Sequence, residues 1–435
     1  MSKTQKNVVI VGAGARGNKV FADLISRFDT GFVTRGVVEP DEAKRESFRV
    51  RYDIPEENVF ASIDDFLEAP RFGDIVFICT PDPTHFSLCK SVSEKGYDIL
   101  LEKPLATTLP DSLALLDVEQ TYRNRIFVAH VLRYSVFFRS IKEIIQSKRL
   151  GEVQDIYLSE NVGHWHFAHS YVRGNWRRSD QAAPIILTKS SHDLDILFWL
   201  LEQRVLSVVS YGSLNYFRPE HAPPEAADRC VDCPLQDDCL YSATRFYLNE
   251  EPDWPYSVIA PPPDSLEARR KALEEGQYGR CVWKCDNDVC DNQTVVLELE
   301  SGAHATFSLY AHTADNTRKV KILFERGELA GDLRSNDLVI SHFTGRPYEF
   351  REEKVTLGAP TDSHGGGDLQ LLYALYDHLT RGEHEEIITS LKSSVTSHVL
   401  AFLAEESRTH ENRKLPIPEI FREEEDGSVP AESAS

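Results

Sequence analysis

Over the first third of the chain, short apolar runs alternate with longer amphipathic stretches. The runs fall at residues 8–11, 32–38, 75–79, 99–101 and 126–128, each short and rich in Val, Ile, Leu and Phe. Runs of that length and composition are strands rather than helices, and strands that recur with helices between them form a doubly wound parallel sheet. The pattern changes after Leu150. Longer strand-like stretches at 151–163, 205–215, 293–300, 303–312, 319–325 and 338–343 have a helical stretch at 189–202 near their start. Many strands with few helices between them predict an open, mostly antiparallel sheet in an α+β domain. Helices are expected at 368–379 and 391–405. The expected organisation is an α/β domain over 1–130, an α+β domain over 131–422 and a flexible acidic tail over 423–435.

An insertion at about 216–291 interrupts the second pattern. It carries Pro223, Pro224, Pro252, Pro255, prolines at 261–263 and six of the eight cysteines. Cys230-x-x-Cys233 followed by Cys239, with Cys281 or Cys285 as a fourth ligand, has the spacing of a structural zinc site. Zinc binding would order a segment with little core of its own. An iron–sulfur cluster and unligated thiols are the alternatives. The formal charge of -21, from 69 acidic and 48 basic residues, disfavours nucleic acid and anionic membrane as partners. No apolar run approaches the roughly 20 residues that span a bilayer. Lys3 and Lys6 before an apolar run imitate a signal peptide, but cleavage there would remove the glycines described next, so a cytoplasmic location is expected.

The first strand runs into Gly12-Ala13-Gly14-Ala15-Arg16-Gly17 and then a helix. Strand, G-x-G-x-x-G and helix form the dinucleotide fingerprint of a Rossmann domain. Gly12 allows the tight turn, Gly14 lets backbone approach a pyrophosphate, and Gly17 allows close packing; the helix start presents free N–H groups to phosphate. The second strand ends at Glu39, placed to accept hydrogen bonds from the adenosine ribose and to repel a 2′-phosphate. NAD is therefore expected over NADP, which Lys44 and Arg45 leave possible. The third runs into Thr80-Pro81-Asp82-Pro83-Thr84-His85, at the carboxyl edge where such sheets bind ligands.

Glu102-Lys103-Pro104 after the next strand, the Thr-Pro-x-x-x-His loop, His130-Val131-Leu132-Arg133-Tyr134 and His192-Asp193-Leu194-Asp195 together resemble the glucose–fructose oxidoreductase and inositol dehydrogenase (Gfo/Idh/MocA) family. The resemblance covers most of the chain outside the insertion and tail. It implies a Rossmann domain joined to an open-sheet domain, and hydride transfer between a sugar or cyclitol carbinol and nicotinamide. It places cofactor contacts at Gly12, Gly14, Ala15, Arg16, Gly17, Glu39, Thr80, Pro81, His85, Glu102, Lys103 and Arg133. It makes Lys103 the base at the substrate hydroxyl, with Lys103–Pro104 a candidate cis bond, and His192 a second proton acceptor or relay. Burial beside a positive nicotinamide would lower the Lys103 pKa toward a useful range. Many members carry Asp one helical turn before the histidine; this chain has Thr188 and then Lys189. Asp195 is then a candidate to orient His192, and Lys189 to supplement or replace Lys103.

For substrate, the segment from His164 to Arg178 mixes indoles with donors: His164, Trp165, His166, Tyr171, Arg173, Asn175, Trp176 and Arg177. Sugar C–H faces stack on indole, while hydroxyls take hydrogen bonds. Lys189, Lys103 and His192 complete the expected set. Arg173, Arg177 and Arg178 either grip an anionic sugar or serve as structural ion pairs. His364-Gly365-Gly366-Gly367-Asp368 is a further polar patch that contacts substrate or caps a helix. The leading expectation is an NAD-dependent oxidoreductase of a sugar, sugar acid, glycoside or cyclitol. The alternatives are a redox-neutral NAD-dependent glycosidase, acting by oxidation, elimination, hydration and reduction, and a cofactor-binding regulator. By analogy, a homodimer or homotetramer is expected.

Overall fold

The structure, a computed structural model, describes residues 4–260, 264–358, 364–381 and 389–418. The expected tail at 423–435 and the prolines at 261–263 lie outside the described residues. The first sheet has six parallel strands in the order Val59–Phe60, Phe32–Val38, Lys6–Val11, Ile75–Ile78, Asp98–Leu101, Ile126–Val128. All four side chains of Ile75–Ile78 are fully buried, because helices cover both faces and no solvent-facing position remains to alternate. The order reverses between Lys6–Val11 and Ile75–Ile78, which opens the ligand crevice at their carboxyl ends.

One covering helix arrives from the far end of the chain. Leu369, Leu372, Leu375 and Tyr376 of Gly367–Arg381 pack with Val8, Ile10 and Phe32 of the first sheet. Division of the chain at residue 130 therefore does not divide its cores.

The second sheet has nine strands, in the order Phe350–Thr356, Asp337–Phe343, Gly327–Asp332, Thr317–Phe324, Val153–Gly163, His304–Thr313, Asn292–Leu299, Val205–Ser213, Leu415–Pro416. Only Val153–Gly163 and His304–Thr313 pair in parallel; the other neighbours run antiparallel. Three of these strands carried no usable pattern. Phe350–Thr356 buries nothing, Gly327–Asp332 offers little but Leu329 and Ala330, and Leu415–Pro416 is two residues long. Helices Ser191–Leu201 and Leu391–Thr409 lie against the sheet, while Tyr157, Tyr211, Tyr310 and Leu323 are exposed. Among the described residues no helix is long and apolar enough to cross a membrane.

The zinc expected to order the insertion finds no support among the described residues. Cys230, Cys233, Cys239 and Cys281 do line one cavity of about 220 Å³, together with Arg173 and Trp283. Yet among the described residues no group of three or more His, Cys, Asp or Glu is gathered so as to hold a metal ion. Zinc has no support in this geometry, and the Arg173 guanidinium lies 3.5 Å from Cys230 Sγ, where it would oppose a second cation.

Instead the segment builds a small core of Ala243, Tyr247, Ile259, Ala260 and Leu273. Three arginines then tie its irregular backbone together. Arg173 donates to the carbonyls of Arg280 and Tyr241, both at 2.7 Å. Arg229 donates to those of Leu273 and Gly276. Arg269 donates to Asn249 and Glu251 carbonyls at 2.8 and 2.6 Å and grips Asp264 with two bonds. A guanidinium offers five donors in a fixed fork, which suits loops whose carbonyls lack ladder partners. Arg269→Ala is expected to cost about 1.5–3 kcal/mol, the range for lost charged hydrogen bonds, as measured by denaturant unfolding with and without a chelator. A chelator-dependent midpoint in the unmutated protein would restore the metal.

Candidate active site

The glycine loop separates what the fold needs from what a ligand needs. Gly12 has φ +96°, and a Cβ there would lie 2.8 Å from the Cys79 carbonyl oxygen; a Cβ at Gly17 would lie 2.1 Å from the Gly12 oxygen. Both glycines are required by backbone packing. Gly14 has an ordinary φ of -75°, and a Cβ there would meet no atom within 4 Å. The space above Gly14 is open, and the N-terminus of helix Ala15–Ala22 faces it, which is where a pyrophosphate docks. Glu39 lies beside this loop, accepting from Ala13 N at 2.8 Å and Asp41 N at 3.0 Å. The residues present fit a dinucleotide.

Other expected cofactor contacts have structural partners. Both ring nitrogens of His85 face carbonyl oxygens, of Pro104 at 2.6 Å and Thr80 at 2.9 Å, so this buried ring braces the Thr80-Pro81 loop against the Lys103–Pro104 turn, whose peptide is cis. Thr80 Oγ1 accepts from Thr84 Oγ1. Arg133 is 3% exposed and bonds Asp195 through two nitrogens, at 2.7 and 2.5 Å. Arg16 bridges Glu102 at 2.5 Å and Asp368 at 2.7 Å, joining the glycine loop to the end of the fifth strand and to helix Gly367–Arg381. Burial favours the protonated Asp368 carboxyl, but Arg16 and His364 override this and hold its pKa well below the usual range. His364 Nδ1 lies 2.6 Å from Asp368 Oδ2.

Lys103 stands at the centre of the buried polar groups. Its Nζ donates to the Thr188 carbonyl at 2.7 Å, and burial brings its pKa down to about 8 against the opposing pull of Asp82 and Glu102, with Lys189 assisting. The contact with Thr188 corrects an expectation. The stretch around Thr188 is not one continuous helix: a turn Ile185–Thr188 ends, and helix Ser191–Leu201 begins after a break. Four-residue spacing therefore does not place Thr188 over His192. The break leaves the Thr188 carbonyl without a helical N–H partner, and the lysine takes it.

His192 is 6% exposed, and its Nδ1 is buried without a hydrogen-bond partner among the described residues. Burial, then Lys103, His130 and His364, depress its pKa well below the ordinary value, so the imidazole is neutral at physiological pH. Asp195 does not orient it: the helix turns that carboxylate toward Arg133 and to 3.6 Å from His130 Nε2. Lys189 is paired with Glu160 at 3.0 Å. Arg318 joins Glu160 at 2.8 Å to Asp193 at 2.7 Å, and burial pushes the Asp193 carboxyl up to about 6 against Arg318. Asp82 accepts from Trp176 Nε1 at 3.0 Å, and its pKa is raised by burial. Burial, then Glu160 and Asp82, push the Tyr171 phenol well up.

Within the expected substrate segment, Trp176, Tyr171 and His166 stay with this cluster, and Lys189 approaches His166 closely enough to help burial depress its pKa. His166 Nδ1 lies 3.0 Å from Asn316 Oδ1. Trp165 lies beside His166, and His164 beside Tyr241. The arginines go elsewhere. Arg173 is buried in the insertion, Arg177 pairs with Asp286 at 2.9 Å, and Arg178 pairs with Asp180 and Asp286. Asn175 accepts from Gln277. Arg177 and Arg178 make structural ion pairs, as in the second of the two readings, whereas Arg173 bonds backbone carbonyls. The sequence reading missed Glu160 and Arg318; the available signal was a charge at an otherwise buried position in each strand.

Two family descriptions match the chain: "Oxidoreductase family, NAD-binding Rossmann fold" over residues 6–130, and "Oxidoreductase family, C-terminal alpha/beta domain" over residues 142–416. The chain belongs to the Gfo/Idh/MocA oxidoreductase family. Among relatives, the Bacillus subtilis (strain 168) oxidoreductase YteT is 27% identical over 391 residues, covering 85% of this chain and 88% of that protein. An inositol 2-dehydrogenase of Corynebacterium glutamicum is 28% identical over 215 residues, 48% of this chain and 57% of that protein. Levoglucosan dehydrogenase, solved with NADH and levoglucosan, superimposes with a TM-score of 0.71 at 14% identity, covering 95% of this chain and all of that one. An oxidoreductase of Desulfitobacterium hafniense superimposes with a TM-score of 0.69 at 19% identity, over 96% and 99% of the two chains. At these identities the solved structures establish the fold, and the family establishes an NAD-binding oxidoreductase.

Proposed function

We propose that this protein oxidises a secondary hydroxyl of a neutral sugar, glycoside or cyclitol, with Lys103 as the base. The observation that carries this reading is an amine whose pKa is lowered to about 8 by burial, donating to the Thr188 carbonyl beside Glu102 and beside Asp82, which accepts from Trp176. When bound, the nicotinamide accepts the hydride leaving the carbinol carbon. Lys103 releases the Thr188 carbonyl and receives the hydroxyl proton. His192, neutral and with Nδ1 unpartnered, accepts a second hydrogen bond or relays the proton. Burial of Lys103, Asp82 and His192 keeps water from competing for these bonds. A neutral substrate is favoured over an anionic one because Arg173, Arg177 and Arg178 are already engaged.

The test mixes protein and NAD with a panel of sugars, cyclitols and glycosides. NADH accumulation with at least one is expected; retained dinucleotide binding with no NADH from any would overturn the reading. The redox-neutral alternative would release aglycone without net NADH, so the same assay separates it. The Glu39 carboxylate beside Ala13 supports NAD over NADP. Glu39→Ala is expected to weaken NAD about tenfold, as loss of a charged hydrogen bond does, and to narrow the preference, measured as the ratio of kcat/KM for the two cofactors. The uncovered sheet face with Tyr157, Tyr211 and Tyr310 supports self-association.

A further inference from the structure

His130, just past the last strand of the first sheet, is fully enclosed, and neither ring nitrogen has a hydrogen-bond partner among the described residues. The Asp195 carboxylate stands beside it, with Oδ1 3.6 Å from His130 Nε2, long for a hydrogen bond. Burial, against the pull of Asp195, brings the His130 pKa down to about 4, so the ring is neutral and carries one proton. Burial favours the protonated Asp195 carboxyl, but Arg133 and then His130 override this and hold its pKa below the usual range. Asp195 therefore stays ionised and only accepts. The His130 proton belongs on Nε2, facing that carboxylate, and Nδ1 is left as an acceptor.

Two imidazoles flank His130, and only one has a nitrogen to offer it. His398, with ring centres 5.6 Å apart, spends both nitrogens on backbone. Its Nε2 accepts from Leu105 N at 3.0 Å, so its Nδ1 donates to the Ser394 carbonyl at 2.7 Å. His192, with ring centres 5.9 Å apart and planes turned by 75°, has Nδ1 sealed from solvent and without a partner. Its Nε2 has no protein partner either but is not sealed, so one nitrogen is enclosed by protein and the other is still reachable. Lys103 lies close enough to act on both rings. On the other flank of His192, His364 directs Nδ1 to Asp368 at 2.6 Å. A buried polar atom left unpaired costs about 1–3 kcal/mol. Joining the two Nδ1 atoms, by an N–H···N bond or through one water, removes that cost for both rings.

We infer that His130 is a positioning residue for His192: its bare Nδ1 receives the His192 Nδ1 proton, directly or through one water, so that His192 presents an unprotonated Nε2 to the substrate. Asp195 then acts at one remove, by fixing the proton of His130. The effect on turnover rests on the dehydrogenase reading; the tautomer can be read without turnover. NAD-loaded protein with isotope-labelled histidine nitrogens would be followed by NMR, the His192 signal being assigned by its loss in His192→Gln. The His192 proton is expected on Nδ1, and His130→Phe should shift it toward Nε2. Turnover would be read as NADH from glucose, galactose and myo-inositol. With the best of these, His130→Phe should lower kcat about 10- to 100-fold, as loss of one hydrogen bond to a group that becomes charged does. KM and NAD binding should change little. His130→Asn, whose amide carbonyl accepts in place of Nδ1, should recover much of the loss. A His192 proton on Nε2 in the unmutated protein, or an unchanged kcat in a folded His130→Phe variant, would overturn the inference. NADH from no substrate, with NAD still bound, would overturn the dehydrogenase reading, and the NMR spectrum would still decide the contact between the two rings.

Discussion

Replacing Lys103 with methionine is expected to lower kcat by about 10²- to 10⁴-fold, the usual contribution of a positioned acid–base group, with NAD still bound. Methionine keeps most of the length and bulk in a buried position, so the change removes the amine rather than the packing. The pH profile of the unmutated protein should identify the same group. Only the neutral amine accepts a proton, and its pKa is drawn down to about 8. Turnover at subsaturating substrate should therefore rise with pH and level off near that value; a solvated lysine would keep rising toward its ordinary range near 10.4. His192 is too strongly depressed to shape the profile at neutral pH. A methionine variant with full turnover would transfer the role to Lys189, whose pairing with Glu160 at 3.0 Å would then have to open.

Two alanine substitutions in the glycine loop should part company. Gly17→Ala pushes a methyl to 2.1 Å from the Gly12 carbonyl oxygen and 2.8 Å from Ile10 Cγ2. Neither neighbour is the free end of a flexible side chain, so the variant should lose about 1–3 kcal/mol of stability, the usual cost of overpacking. Gly14→Ala meets no protein atom within 4 Å and its φ is ordinary, so the fold should be unaffected. Its methyl occupies the approach of the pyrophosphate, and NAD should bind at least about tenfold more weakly, roughly 1.4 kcal/mol. Thermal unfolding without cofactor and dinucleotide titration separate the two. Equal loss of stability in both variants would mean that Gly14 serves packing instead.

Local pattern made much of the architecture legible. The runs at 32–38 and 126–128 are strands with the expected ends, and the helix expected at 391–405 extends to Thr409. These elements are apolar on the side or sides they bury, so period and composition identify them. Phe350–Thr356 was invisible because an exposed edge strand has no buried side to reveal it. The contacts that order the insertion were not legible for a related reason. Cysteine spacing is a local signal, whereas the guanidiniums that tie those loops together are distant in sequence from many of the carbonyls they bond: Arg173 reaches Arg280 and Tyr241.

At the site the division follows the same line. The sequence alone determined the dinucleotide loop, because strand, turn and glycine are encoded within a few neighbouring residues; Lys103 and His192 were singled out by the family resemblance. Tertiary structure decided what each polar group bonds. Lys103 is held by a carbonyl 85 residues away, Arg16 by Asp368 across 352, and Asp195 by Arg133 across 62. A buried charge takes whichever opposite charge or dipole the fold brings within reach, and that choice depends on packing between distant segments rather than on spacing along the chain.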